Sequence, residues 1–370
     1  MSSPIRVGFV GLSATGWAST VLAPSLLQPS LQNKYKLVAV STTSEASSTA
    51  SAKKYSEQLG HTVKAYHGDT AQIAADSDVD LVVVSIRTPY HKPAVLSVIA
   101  QKKNFFLEWP AGRGLQETVE IAEAAHKQGV KSIVGLQARH SPVIKKVKEL
   151  VQSGAIGTVR STTFIGTVLR ELNYWAPVAG AANVYAIDKA NGATALSICV
   201  GHQLDPLTFV LGEFSTINAT ATTLYPEATI VDANKKPTGQ ILPSTTPDHY
   251  AIASVLKSGA LASITWRVGY KSTPGRRQLL WEIDGEDGSI RVESDVSSFM
   301  NIVNPTVYLN GEKVDIPGVE SGAVGILGAA WEAYADGEEQ PYATIDDAVK
   351  NHRILDAVER SLSEGKTIVL

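Results

Sequence analysis

The sequence predicts an α/β protein with an N-terminal doubly wound parallel sheet and a C-terminal α+β domain that carries a large, mostly antiparallel sheet. In the first third of the chain, short apolar runs alternate with helical patterns, as expected where helices cover both faces of parallel strands. After about residue 140, longer stretches alternate polar with apolar residues and are separated by turn residues, which is typical of hairpins. The 370 residues suffice for two such domains.

The first domain is predicted over residues 1–137 with five strands. The first two strands begin about 30 residues apart, the usual length of one β-α-β unit. A helix is predicted over Gln116–Gln128 from its apolar period, with Gly129 as its C-terminal stop. The predicted strands are Ile5–Val10, Leu37–Val40, Leu81–Ile86, Phe105–Leu107 and Ile133–Leu136.

The second domain is predicted over residues 138–370. It opens with a helix over Pro142–Ser153, and its last helix begins at Thr344, which Asp347 caps, and ends at Gly365. Two hairpin turns are predicted, one over Lys257-Ser258-Gly259 and one over Gly285-Glu286-Asp287-Gly288. The predicted strands are Thr158–Phe164, Phe214–Leu224, Tyr250–Leu256, Leu261–Trp266, Leu279–Ile283 and Ser289–Glu293.

The composition excludes several classes of protein. Charged residues make up 19% of the chain and leave a net charge of −3, which argues against direct nucleic-acid binding and against a polybasic membrane binder. The single cysteine, Cys199, excludes an internal disulfide framework, and the eight scattered histidines predict no metal site. Since no leader or membrane-length apolar run is visible, we expect a soluble, cytoplasmic protein.

A glycine-rich segment directly follows the first strand and precedes a helix. It reads Gly8-Phe-Val-Gly11-Leu-Ser13-Ala-Thr-Gly16-Trp17, the context that a dinucleotide-binding fingerprint requires. Gly11 would form the tight turn, and Gly16 would let the helix pack on the sheet. Ser13 replaces the middle glycine, and a turn that binds no ligand remains the alternative. The predicted nucleotide contacts in this segment are Gly11, Leu12, Ser13, Ala14, Thr15, Gly16 and Trp17.

The end of the second strand bears on the choice of nucleotide. NAD sites usually place an acidic residue there to accept from the ribose 2′-hydroxyl. This chain has Ser41-Thr42-Thr43, and its next acid is Glu45. Hydroxyls can donate to a 2′-phosphate, so the sequence predicts NADP(H) as the preferred cofactor, with NAD(H) as the alternative.

Several separated motifs together resemble one known family. Thr88-Pro89-Tyr90-His91 matches an element after its fourth strand, Glu108-Trp109-Pro110 matches its Glu-Lys-Pro element, and Leu150–Val159 matches the entry to its second domain. With Trp281–Val292 and the last helix, the chain resembles the Gfo/Idh/MocA group along nearly its whole length. Within the group it is most similar to the branch of fungal galactose-pathway repressors, through Gly16-Trp17, Glu108-Trp109, Leu136–Pro142, Asn191-Gly192 and Gly201–Asp205.

The resemblance implies a Rossmann domain that binds a nicotinamide nucleotide, with contacts from residues after strands four to six. Those residues are Arg87, Thr88, Pro89, His91, Glu108, Trp109 and Arg139. It also implies a catalytic set that is incomplete here. Family dehydrogenases use the Lys of Glu-Lys-Pro, an Asp and a His four residues later; this chain has Trp109, Ile198 and His202 at those positions.

Proton transfer therefore has three candidates. His202 is the first, although a hydrogen bond inside its helix is the alternative role. Tyr185 or Lys189 would replace the missing Lys if their loop faces the substrate; Tyr174 and Asp188 lie nearby in sequence.

Two classes of function fit these observations. The first is an NAD(P)-dependent oxidoreductase that acts on a C=O, C–OH or C=N group of a polar small molecule, such as a sugar derivative or a secondary metabolite. The alternative is a nucleotide-binding transcriptional regulator that holds a protein partner; a redox-assisted lyase or hydrolase also stays open. A homodimer or higher homo-oligomer is expected through an apolar outer face of the second sheet, formed by Ile252, Val255, Leu256, Leu261, Ile264 and Trp266.

Overall fold

The computed structural model describes residues 3–319, 322–337 and 342–370. The chain forms two compact units, one from Met1–His140 with Ser321–Val349 and one from Ser141–Glu320 with Lys350–Leu370. The chain thus returns to the first unit late in the sequence, a feature that the predicted two-segment division does not contain.

The first unit is built on a six-stranded sheet in which every neighbouring pair is parallel. Its strand order, β3-β2-β1-β4-β5-β6, is one that doubly wound sheets adopt, and the doubly wound parallel class is the one that the sequence predicts. Five strands lie where the sequence predicts them. The sixth, β3, was not predicted, because it is a short edge strand whose residues are mostly exposed and not apolar. The strands are β1 (Ile5–Val10), β2 (Tyr35–Thr42), β3 (Lys64–His67), β4 (Leu81–Val84), β5 (Asn104–Leu107) and β6 (Ser132–Val134).

Helices cover both faces of this sheet. The helix after β1 begins with a π-helical turn, Ala18–Leu22, and continues as α1, Ala23–Leu26. The C-terminal stop predicted for α5 is confirmed, since Gly129 is left-handed with φ 65°. No helix in the described ranges is both long and apolar enough to span a membrane. The remaining helices are α2 (Glu45–Leu59), α3 (Thr70–Ala74), α4 (His91–Ala100), α5 (Leu115–Gln128) and, later in the chain, α8 (Gly322–Asp336).

The second unit contains a nine-stranded sheet, mostly antiparallel as predicted. Its order is β17-β16-β15-β14-β7-β13-β12-β9-β18, and β7 with β13 is its parallel pair. Both predicted hairpin turns are confirmed, because β12 pairs antiparallel with β13 and β14 with β15. The strands are β7 (Val159–Leu169), β9 (Phe214–Thr222), β12 (His249–Leu256), β13 (Leu261–Tyr270), β14 (Leu279–Gly285), β15 (Ser289–Ser294), β16 (Thr306–Leu309), β17 (Glu312–Lys313) and β18 (Ile368–Val369).

A small three-stranded sheet, ordered β11-β10-β8, was not predicted. Its strands are β8 (Val178–Gly180), β10 (Glu227–Val231) and β11 (Pro237–Pro243), and β11 is almost wholly exposed. Three helices complete the chain: α6 (Pro142–Gln152), α7 (Gly201–Leu211) and α9 (Ile345–Glu364). The capping of α9 is confirmed, since the backbone N–H and Oγ1 of Thr344 donate to Asp347 Oδ2 at 2.9 and 3.1 Å.

The predicted apolar outer face of the large sheet is wrong in most of its members. Ile252, Leu256, Ile264 and Trp266 are buried, on the inner face. They alternate with exposed residues because successive side chains of a strand point to opposite faces, and the larger apolar set takes the buried side. The residues that β9, β12 and β13 expose are Asn218, Thr220, Thr222, Ala251, Ala253, Val255, Leu261 and Ser263.

Candidate functional site

The glycine-rich segment turns sharply between β1 and the first helix. Gly11 has φ +92°, and a Cβ there would lie 2.0 Å from the carbonyl oxygen of Ser85, so only glycine fits. Ser13 donates through Oγ to Thr15 O at 2.9 Å, which holds the loop in place of the missing middle glycine. Gly16 has φ +101°, and no described atom lies within 4 Å of its Cβ position. The loop is therefore a backbone cradle that leads into a helix start.

A cavity of about 760 Å³ lies at the carboxyl edge of the sheet, beside this loop. It is open to solvent and lined by the residues that follow β1, β2, β3 and β4, together with one side of α4. Six of the predicted nucleotide contacts are among its walls: Gly11, Ser13, Ser41, Thr42, Thr43 and Arg87. The walls that were not predicted are Val10, Gly68, Asp69, Thr70, Ser85, Ile86, Tyr90, Pro93, Ala94 and Ser97.

Asp69 is a wall of the cavity that was not predicted from the sequence. An acidic residue was expected only after β2, and β3, which Asp69 closely follows, was not predicted. Asp69 caps α3 by accepting from Ala71 N–H at 2.9 Å. The Asp-Thr pair before an apolar helical pattern is the signal that could have located this strand end.

The end of β2 offers hydroxyls where many NAD sites have an acid. Thr42 donates through Oγ1 to Ser44 O at 3.2 Å, and Ser44 caps α2 by accepting from Ser47 N–H at 3.3 Å. Thr43, next to them, is exposed on the cavity. The start of α2, a 15-residue helix, thus lies beside the cavity and favours a negative charge.

These features fit a dinucleotide. The strand order reverses between β1 and β4, which is where open α/β sheets bind ligands across their carboxyl ends. The cavity lies toward the β2 and β3 side of that point, and its size suits the adenosine half. When bound, the nucleotide would supply hydride chemistry, and its other half would extend toward the ends of β5 and β6.

At the ends of β5 and β6, Glu108 is held by two tryptophans. Its Oε1 accepts from Trp17 Nε1 at 2.8 Å, and the backbone N–H of Trp109 donates to the same carboxylate. Burial raises the pKa of Glu108 to about 7, against the two hydrogen bonds, which favour the ionised form. Trp109 itself is 6% exposed.

Four predicted contacts are structural supports of this edge. The ring of His91, 1% exposed, bonds to Pro110 O at 2.8 Å and Ile86 O at 2.9 Å, which ties the end of β4 to the segment after β5. Leu12 lies in the core, and Thr88 and Pro89 form a short turn before α4. His91, Leu12 and Thr88 are buried and Pro89 is half-buried, and none of the four is among the cavity walls.

Arg139 follows β6 in a short turn and is paired with Asp347, at 3.2 Å from Nη2 to Oδ1. Burial alone would raise the pKa of Asp347, but the Arg139 charge and the hydrogen bonds from Thr344 hold it below its usual range. The guanidinium thus anchors the start of α9.

In the second unit, His202 lies in the first turn of α7. Its Nδ1 is buried and has no hydrogen-bond partner among the described residues. Burial lowers the pKa of His202 to about 3, so the ring is neutral at physiological pH. Ile198, in the π-helical turn Leu196–Val200 just before α7, provides no carboxylate that could orient it. His202 therefore lacks the surroundings of a general acid.

Tyr185 and Lys189 lie in the segment between β8 and α7, with different partners. The hydroxyl of Tyr185 is 2.6 Å from that of Tyr174. The Nζ of Lys189 is 3.1 Å from Glu359 Oε1, at the mouth of a separate cavity of about 220 Å³. The Tyr185 hydroxyl is thus hydrogen-bonded to a second phenol, whereas the Lys189 ammonium forms a salt bridge.

Comparison with protein families matches both units. Residues 5–136 match "Oxidoreductase family, NAD-binding Rossmann fold", the Gfo/Idh/MocA family, and residues 142–294 match "Gal80p, C-terminal domain".

Individual relatives include a dehydrogenase and a regulator. The chain is 31% identical to Dehydrogenase aclE of Aspergillus oryzae, over 99% of this chain and 98% of that protein. It is 29% identical to the galactose/lactose metabolism regulatory protein GAL80 of Saccharomyces cerevisiae, over 85% of this chain and 72% of that one. A crystal structure of a super-repressor mutant of Gal80p from Saccharomyces cerevisiae superposes with a TM-score of 0.88 at 26% identity, covering 99% and 98% of the two chains.

Proposed function

Since the chain belongs to the Gfo/Idh/MocA family of NAD-binding oxidoreductases, we propose that it is an NAD(P)-dependent oxidoreductase that acts on a C=O, C–OH or C=N group of a polar small molecule. The observation that carries this proposal is the backbone cradle at Gly11, which only glycine can form, beside a cavity that suits the adenosine half of a dinucleotide and lies next to the switch point of the sheet. The likeness to a dehydrogenase along the whole chain supports it.

Tyr185 is the proton-transferring residue in this proposal. The hydroxyls of Tyr174 and Tyr185 are 2.6 Å apart, so Tyr174 can donate a hydrogen bond to the Tyr185 oxygen when Tyr185 gives its proton to a substrate oxygen or nitrogen. His202 is neutral at physiological pH, and Lys189 is held by Glu359, so both are weaker candidates. Trp109, in place of the family's Lys, contributes an apolar wall and no proton.

The enzyme proposal is tested by following NADPH oxidation with an aldose, 4-nitrobenzaldehyde and a cyclic imine as probes. Tyr185→Phe should slow any turnover at least tenfold and leave nucleotide affinity unchanged, because general acid catalysis typically contributes about 10² to 10⁴. Tyr308→Phe, which changes a tyrosine on β16, is the matched control. Equal rates for Tyr185→Phe and wild type would remove Tyr185 from the mechanism.

NADP(H) is the preferred cofactor in this proposal. The exposed Thr43 hydroxyl and the start of α2 provide donors and a favourable field for a 2′-phosphate, and Arg87 lines the same cavity. Asp69, on that cavity as well, works against a second negative charge. Calorimetric titration should give tighter binding of NADP(H), and Thr43→Asp should reverse the preference. Tighter NAD(H) binding by the wild type would contradict it.

A nucleotide-binding regulator is the second candidate. Trp109 and Ile198 stand where the family's dehydrogenases have Lys and Asp, and the Gal80p likeness covers almost the whole chain. This function requires a protein partner whose binding depends on the nucleotide. Micromolar nucleotide binding without turnover of any probe would favour it over the enzyme.

The outer face of the large sheet is the proposed contact between two copies of the chain. Val255 and Leu261 are 36% and 55% exposed among small residues of β9, β12 and β13, which gives a flat surface with little charge. A homodimer should appear in light scattering, and Leu261→Glu should shift the mass toward the monomer. A monomeric wild type would contradict this contact.

A further inference from the structure

Glu108 is a carboxyl at the sheet edge to which the proposed proton transfer gives no role. Its backbone N–H donates to Val84 O at 3.1 Å, which continues the pairing of β4 and β5. Trp17 fixes its Oε1 from the glycine loop, and a Cβ on Gly135 would lie 2.5 Å from its Oε2. The carboxyl is therefore held between the loop after β1 and the residues that follow β5 and β6.

This position falls on the nicotinamide side of the site. The cavity walls contributed by β2 and β3 suit the adenosine half, and β5 lies across the switch point from them. Dinucleotides bind across that point, so the nicotinamide half lies over the ends of β4 to β6. A nicotinamide ring carries a positive charge when oxidised and none when reduced, and a carboxylate nearby distinguishes the two forms electrostatically.

We propose that Glu108 makes this site selective for the redox state of its nucleotide: the ionised carboxylate favours the oxidised ring, and the protonated carboxyl favours the reduced ring. The inference rests on the nicotinamide site of the proposed function, but it requires neither a particular substrate nor turnover. It would serve a regulator as well as an enzyme, because either must respond to one form of the nucleotide.

Burial places the pKa of Glu108 at about 7, so both protonation states are populated near neutral pH. The segment from Gly11 to Trp17 contains no titratable side chain. His91 is buried, with its pKa lowered by burial and both ring nitrogens bonded to carbonyl oxygens, and Arg139 is paired with Asp347. The titratable and charged side chains after β4, on α4 and after β6 are Arg87, Tyr90, His91, Lys92, Arg139 and His140, and Lys92 is paired with Glu120 of α5.

The test is the ratio of two dissociation constants, Kd(NADPH) divided by Kd(NADP⁺), measured calorimetrically on the full chain from pH 6.5 to 8.5. As Glu108 ionises, the oxidised form should bind more tightly and the reduced form more weakly, so the ratio should rise with pH. We expect a rise of up to about tenfold for each unit by which the ring charge shifts the carboxyl pKa. The 2′-phosphate titrates near pH 6, but it is common to both forms and cancels in the ratio.

Three variants identify the responsible group. Glu108→Gln keeps the size and an acceptor for Trp17 but removes the charge, so its ratio should not change with pH. Glu120→Gln, which removes the carboxylate of α5 that pairs with Lys92, should keep the wild-type rise. Trp17→Phe removes a hydrogen bond to the ionised form and should move the rise to higher pH.

A flat ratio in the wild type, or an undiminished rise in Glu108→Gln, would overturn the inference while leaving the proposed oxidoreductase intact. Should Glu108→Gln fail to fold, an unshifted midpoint in Trp17→Phe would overturn it equally. Failure of the wild type to bind either nucleotide would overturn both proposals.

Discussion

Burial shifts the pKa values of both Glu108 and His202, yet the two shifts have opposite consequences for function. Burial raises the pKa of Glu108 to about 7, into the range where it exchanges protons, and lowers the pKa of His202 to about 3, out of that range. The sequence pointed to His202 because of its position in a family motif. Burial of an atom depends on tertiary packing, so the motif alone could not show that Nδ1 of this ring is buried without a hydrogen-bond partner among the described residues.

The imidazole of His202, whose Nδ1 is buried, should make the protein sensitive to acid. Its pKa is lowered on folding, so its contribution to stability is full above about pH 6.5 and is lost as pH falls toward 3. His202→Gln should therefore lose less of its free energy of unfolding than the wild type between pH 7.5 and 5, in urea unfolding. His126→Gln, at an exposed site, is the control. A pH dependence unchanged by His202→Gln would show that the ring is solvated.

Gly11 offers a sharper test of the cradle. Gly11→Ala should abolish nucleotide binding and destabilise the chain, because its Cβ would overlap Ser85 O and a non-glycine residue at positive φ costs about 1–3 kcal/mol. Gly60→Ala is the matched control, since Gly60 also has positive φ but no described atom lies within 4 Å of its Cβ position. Titration calorimetry and thermal unfolding measure both effects. Normal nucleotide affinity in Gly11→Ala would contradict the cradle.

Among the helices and strands, those that local sequence signals define lie where the sequence predicts them, whereas those that depend on tertiary packing were not predicted. The strand β1 and the cap of α9 lie where predicted, because an apolar run and a capping pair are encoded within a few residues. Helix α8 was not predicted, since three glycines lower its intrinsic helix propensity. A Cβ on Gly328 would lie 2.1 Å from Gln28 Nε2, so this helix depends on contacts with a segment nearly 300 residues away.

The packing of α8 on the first unit predicts a large effect of Trp331. Its side chain is fully buried and its Nε1 donates to Ser25 Oγ at 3.0 Å. Its ring contacts that of Tyr35 edge-on and that of Phe106 at a tilt. Trp331→Ala should cost about 3–5 kcal/mol in the free energy of unfolding. Glu332→Ala, on the exposed side of the same helix, should cost less than about 1 kcal/mol. Similar values for the two variants in urea unfolding would mean that α8 is not an integral part of the unit.

At the scale of the whole molecule, the fold class and the position of the nucleotide site were predictable, because the alternation of strands with helices and the glycine loop are visible as patterns along the chain. The position of Asp69 on the cavity wall and the residues on the outer face of the large sheet were not predictable. Both depend on which strands become neighbours and on which side of the sheet the helices cover. The chain is similar both to a dehydrogenase and to a regulatory protein, and the two proposed functions require the same nucleotide site.

Titration of the purified chain with NADPH in a calorimeter tests that shared requirement most directly. We expect saturable binding of one nucleotide per chain with a Kd below about 100 µM, or more than about 5 kcal/mol of binding free energy. Absence of saturable binding of NADPH, and of NADH in the same experiment, at millimolar concentration would contradict it.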